Sequence, residues 1–205
     1  MQNIFQSNTD SINIAARQQP HRLEIRTFGF WIYLMSDLVL FSVLFAAFAV
    51  VGRNYAGGPG PRQLFALPYL FVETMLLLTS SVAYGFSMAA LRQEKTKIVL
   101  TGLLVSFLLG LGFVLLEVHE FYGLIMAGDG PSRSGFLSSF FTLVGTHGTH
   151  VSFGLLWMAV MIIQFVRKGF TDLVRSRLTL LSLFWHFLDI VWVGIFTFVY
   201  LLGVL

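Results

Sequence analysis

Five nearly unbroken apolar runs occupy most of this 205-residue sequence, at 28–51, 68–91, 98–126, 136–166 and 178–205. Each exceeds the roughly 20 residues that carry a helix across about 30 Å of hydrocarbon. A chain with five such runs folds in lipid, where apolar side chains can cover the outside of a bundle as well as its inside. Charged residues make up only 11% of the sequence, too few to solvate a water-soluble domain of this size. The apolar positions are continuous rather than alternating, which argues for helices over a β-barrel. The expectation is an all-α membrane protein, a bundle of five transmembrane helices.

The connections are short. Loop 1 carries Gly57-Gly58-Pro59-Gly60-Pro61 and loop 3 carries Gly128-Asp129-Gly130-Pro131. Both stop helices, because proline lacks the amide donor and glycine is conformationally loose. Residues 1–27 are polar, lack the apolar core of a signal peptide, and are expected to form a mobile cytoplasmic tail.

Basic residues divide unevenly between the two sides. The tail and loops 2 and 4 hold Arg17, Arg22, Arg26, Arg92, Lys95, Lys97, Arg167, Lys168, Arg175 and Arg177. The other side holds only Arg53, Arg62 and Arg133. Cytoplasmic loops carry the excess of Lys and Arg, so the N-terminus is expected inside and the C-terminus in the periplasm. This placement also accounts for the net charge of +3 without nucleic acid. The absence of cysteine excludes disulfides, thiolate metal sites and iron–sulfur clusters in this chain.

Ionisable residues inside the spans are costly and need a partner or a role. Asp37 stands in span 1, Glu73 in span 2, Glu117 and Glu120 in span 3, His147 and His150 in span 4, and His186 and Asp189 in span 5. The last six form i,i+3 pairs, each sharing a helix face. Gly145, Thr146, Gly148 and Thr149 surround the span 4 histidines and permit close helix approach. Asp37, His150 and Asp189 fall within about one or two turns of the midplane, which predicts an inward polar belt between spans 1, 4 and 5. Three roles stay open for it: interhelical hydrogen bonding, proton handling, or a His147/His150/His186 metal site. His147 and His150 are one turn apart, too close to ligate two stacked haems. Trp185 and Trp192 share a face and are expected to be packing residues. An independent transporter is disfavoured by the lack of an inverted repeat or of paired broken helices.

Four segments carry a family resemblance. Phe28-Gly-Phe-Trp-Ile-Tyr-Leu-Met-Ser-Asp37, Glu117-Val-His-Glu120-Phe-Tyr, Gly145-Thr-His-Gly-Thr-His150-Val and Trp185-His-Phe-Leu-Asp-Ile-Val-Trp192 resemble signatures of haem–copper oxidase subunit III. The likeness runs from about residue 28 to the end. Longer members have seven helices; five, together with Val72-Glu73-Thr74 and Met35-Ser36-Asp37, look most like the cytochrome o ubiquinol oxidase form. Subunit III of a bacterial cytochrome c oxidase is the alternative. The family often has Glu where Asp37 stands, in a segment whose carboxyl reacts with carbodiimides.

The resemblance implies a non-catalytic subunit in a bacterial inner membrane. Its partners would be subunit I, which holds the haems and copper, and the other oxidase subunits. It implies no cofactor in this chain beyond structural phospholipid, and a role in the assembly and endurance of a proton-pumping complex that reduces oxygen to water.

Overall fold

The computed structural model describes residues 2–57, 60–64 and 67–204, and side chains at 25–57, 60, 61, 64 and 67–203. The side chains of Arg17, Arg22 and Arg62, which enter the charge count, and the Gly58-Pro59 step of loop 1 lie outside the described residues. The chain forms two compact units, 1–38 and 39–205.

Helix α1 runs over Gln2–Val51, a short α2 over Pro61–Leu64, α3 over Leu67–Arg92, α4 over Thr96–Met126, α5 over Gly135–Lys168 and α6 over Asp172–Ile195. A π-helical segment, Phe196–Leu201, and a final turn, α7 over Leu202–Val204, follow α6. Among the described residues, five helical stretches are long and apolar enough to cross a membrane: Ile25–Val51, Leu67–Arg92, Thr96–Met126, Gly135–Lys168 and Asp172–Leu201.

Two limits differ from the sequence expectation. The backbone is helical from Gln2, so the residues read as a polar tail continue the helix of span 1. Polarity ends a membrane span but does not end a helix. Likewise α6 begins at Asp172, ahead of the apolar run, because the Thr171 side chain caps it by accepting from the Val174 amide. Ser134 caps α5 in the same way, accepting from Leu137 N at 3.2 Å.

Within the larger unit, α3 packs on α4, α4 on α5, α5 on α6, and α6 returns to α3. The C-terminal part of α1 contributes Phe41, Phe45 and Phe48, whose rings meet Phe187, Phe198 and Phe136. Long apolar side chains such as Phe86, Leu108, Phe153 and Ile190 point outward. Glu73, Ser80, Ser106 and His147 are buried. That distribution suits a lipid surround, where the polar groups must find their partners inside.

The loop ends confirm which connections share a side. Glu94, between α3 and α4, pairs with Arg175 of α6 at 2.5 Å. At the other end the Phe136 amide donates to the Asn54 carbonyl at 3.0 Å, tying loop 1 to the start of α5. Arg133 pairs with Asp129 within loop 3. Gly128 and Gly169 adopt positive φ just after α4 and α5, the conformation that ends a helix at least cost when no Cβ is present.

Candidate functional site in the bundle interior

Helix α3 supplies a row of small hydroxyl and acidic side chains that faces its neighbours. Glu73, Thr74, Ser80, Ser81, Tyr84 and Ser87 are all buried. Their spacing of three, four and seven keeps them on one side of the helix. This row was the main feature missed in the sequence, where only Glu73 stands out as ionisable. The three-to-four period of hydroxyls in an apolar run was the signal available.

The row receives both indoles of α6. Trp185 Nε1 donates to Ser80 Oγ at 3.1 Å, and Ser80 in turn reaches the carbonyl and hydroxyl of Ser106 on α4 at 2.9 and 3.0 Å. Trp192 Nε1 donates to Thr74 Oγ1 at 3.1 Å. Tyr84 donates to the Leu178 carbonyl at 3.0 Å. The tryptophans are therefore packing residues with a hydrogen-bonded edge. Each of the two buried indole N–H groups has an acceptor, as a low-dielectric interior requires.

Three glutamates gather on α3 and α4. Glu73 lies near enough to Glu120 for their charges to interact, and Glu117 is within the same range of both. Glu120 accepts a hydrogen bond from Tyr200 at 3.3 Å, and Tyr69 donates to the Leu116 carbonyl at 2.9 Å beside them. The π-helical turn carries Tyr200 and brings its hydroxyl to Glu120. Both Glu73 carboxyl oxygens and Oε1 of Glu117 have no hydrogen-bond partner among the described residues. Glu117 lies flush against α5, where a Cβ at Gly148 would stand 2.6 Å from either carboxyl oxygen.

The histidines do not act as one group. His147 is fully buried; its Nε2 donates to the Leu188 carbonyl at 3.2 Å and its ring lies against Trp192 and Phe113. His150 Nδ1 donates to the Thr146 carbonyl at 2.8 Å, and its ring centroid is 5.3 Å from that of Phe41. His186 Nδ1 is 2.6 Å from Ser81 Oγ and 3.7 Å from Asp189 Oδ2. Asp189 is buried, yet the His186 side chain is 45% exposed, so this i,i+3 pair does not point wholly inward. Residues three apart are about 60° out of line around a helix, enough to set one at the bundle's edge. No three His, Asp or Glu side chains among the described residues are placed to hold a metal ion together. Asp37 belongs to the smaller unit, where its carboxyl is hydrogen-bonded with Tyr33, one turn earlier on α1.

A separate groove of about 600 Å³ opens between the end of α1 and the end of α6. Phe45, Phe48, Phe136, Phe198 and Leu202 line it, with Arg53 at its rim.

Five helices of bilayer length among the described residues, apolar outside and carrying buried carboxyls and the buried imidazole of His147 inside, define a multi-pass membrane protein. The chain belongs to the cytochrome c oxidase subunit III family, whose model matches residues 4–204. It is 52% identical to the cytochrome bo(3) ubiquinol oxidase subunit 3 of Pseudomonas putida, over 89% of this chain and 88% of that one. The protein of the same name in Pseudomonas aeruginosa is 53% identical, over 87% and 85% of the two chains. Quinol oxidase subunit 3 of Bacillus subtilis is 41% identical, over 97% and 91%. These findings bear out the haem–copper oxidase subunit III resemblance read from the four motifs.

Proposed function

We propose that this chain is the non-catalytic subunit III of a proton-pumping terminal quinol oxidase in a bacterial inner membrane. The observation that carries the reading is the 52% identity, over nearly the whole of both chains, to a ubiquinol oxidase subunit 3. In this role the chain stabilises subunit I, where the haems and copper reside, and supports assembly of the complex.

The groove supports a phospholipid-holding role. Its aromatic and aliphatic walls suit acyl chains, and Arg53 at the rim suits an anionic headgroup. Arg53→Gln should lower the phospholipid retained per purified oxidase and shorten its lifetime during turnover. Unchanged lipid content and lifetime would remove this part of the proposal.

The N-terminus lies in the cytoplasm and the C-terminus in the periplasm. The ten-to-three division of Lys and Arg supports this, and the Glu94–Arg175 pair is consistent with loops 2 and 4 lying at one end of the bundle. A periplasm-dependent reporter fused after Leu205 should be active; activity only in the cytoplasm refutes the orientation.

Asp37, Glu73, Glu117, Glu120, His147, His150, His186 and Asp189 provide the proton environment of the subunit, with Asp37 the leading acid. Asp37→Ala tests it through assembly, proton pumping and turnover lifetime; three unchanged readouts would reduce these residues to interhelical contacts.

A further inference from the structure

His186 occupies an unusual position. It stands within about one residue of the middle of the fifth span, Asp172–Leu201. It lies about 13 Å along the helix from Arg177, the last charged residue at the cytoplasmic end. At that depth its side chain is 45% exposed.

The inner edge of the ring is fully engaged. Nδ1 meets Ser81 Oγ at 2.6 Å and faces Asp189 Oδ2 at 3.7 Å, and Asp189 is buried behind it. With Nδ1 turned to these two groups, ring geometry sets the other nitrogen, Nε2, on the side away from them, on a side chain that is 45% exposed. Among the described residues Nε2 has no hydrogen-bond partner. Whichever tautomer the ring adopts, a polar nitrogen is presented outward near the midplane. Lipid tails offer neither donor nor acceptor there, and a headgroup sits roughly 15 Å away. Long Lys and Arg side chains escape this problem by reaching toward the interface, but imidazole is too short to do so.

The surroundings fit a helix rather than a single ligand. Ile190, one turn further along α6, is 71% exposed, and Val82, next to Ser81 on α3, is 58% exposed. Gly85, one turn from Ser81, has nothing within 4 Å of where a Cβ would stand. The surface thus has one polar centre, an apolar rim and a low point that permits close backbone approach.

We infer that the outer face of α3 and α6 around His186 seats a transmembrane helix of another oxidase subunit, which hydrogen-bonds to His186 Nε2. The inference rests on the oxidase-subunit reading and names the contact through which that reading is realised.

The test uses the intact complex. A benzoyl-phenylalanine photo-crosslinker replaces His186 in the full chain, membranes are irradiated, and the tagged chain is purified and its adducts identified by mass spectrometry. An adduct to a different oxidase subunit supports the inference. Adducts to lipid alone, or to a second copy of this chain, overturn it if the other subunits still co-purify. If no other subunit co-purifies even with the unsubstituted chain, the oxidase-subunit reading itself has failed. A second measurement compares His186→Leu with His186→Gln after a detergent wash. Recovery of the neighbouring subunit should fall about threefold to thirtyfold for Leu, the size that interhelical hydrogen bonds carry in bilayers, and should be largely restored by Gln. Equal recovery for Leu and wild type overturns the inference.

Discussion

The carboxyl of Glu117 on α4 rests directly on the backbone of Gly148 on α5, so close that a Cβ at Gly148 would stand 2.6 Å from both oxygens. Two helices meet here through an acid and a missing side chain. Glu117 is buried, and its approach to α5 depends on that absence.

Gly148→Ala should therefore push the Glu117 carboxyl aside and destabilise the subunit by about 1 kcal/mol, the low end of the cost of overfilling a packed interior, because the atoms met are the end of a flexible side chain. Glu117→Ala in the same chain should return part of that loss, since the clash would be gone. Thermal midpoints of the purified complex for the two single variants and the double variant measure this coupling. Simple additivity would show that the two residues do not meet.

The Trp185 indole is held between two glycines. A Cβ at Gly110 would stand 2.8 Å from it and a Cβ at Gly154 2.9 Å. An indole cannot bend away, so Gly110→Ala or Gly154→Ala should each lower stability by about 1–3 kcal/mol. Gly85→Ala is the comparison, because nothing lies within 4 Å of its Cβ position. Equal losses at all three sites, read from subunit yield and thermal midpoint, would contradict the packing described.

Thr74 accepts the buried N–H of Trp192. Thr74→Val keeps the shape but orphans the donor, at a cost of about 1–3 kcal/mol. Trp192→Phe removes the donor along with part of the ring. In a Thr74→Val background the additional loss from Trp192→Phe should be smaller than in the wild type, as measured by a double-mutant cycle on thermal unfolding.

Ser134 caps α5. Ser134→Ala should cost about 1 kcal/mol and Ser134→Gly only a few tenths. Differential scanning fluorimetry of the purified complex separates the two; a Gly variant worse than Ala would contradict the cap.

The five spans were legible because bilayer thickness sets a minimum length for each apolar run. The helices' true ends were less so. Hydropathy registers the lipid boundary, whereas Thr171 starts α6 among the polar residues that precede Leu178. The ionisable members of the interior were visible one by one, but their grouping was not. The sequence places Glu73 and Glu120 on separate helices, and only the packing of α3 on α4 brings them within electrostatic reach of each other. The hydroxyls at Thr74, Ser80 and Ser81 passed unnoticed because serine and threonine raise no alarm in an apolar run, yet they anchor both tryptophans and His186. The π-helical turn that positions Tyr200 has no sequence signature at all. The outward setting of His186 was likewise hidden, since the i,i+3 spacing to Asp189 suggested a common inward face.

The most direct test of the central claim is purification of the tagged full-length chain from its native membrane in mild detergent, followed by subunit identification, an optical spectrum and a quinol oxidase assay. The account predicts a complex that contains a haem-bearing subunit I and oxidises ubiquinol with oxygen. Recovery of the chain alone, or with partners that carry no haem and no quinol oxidase activity, would contradict it.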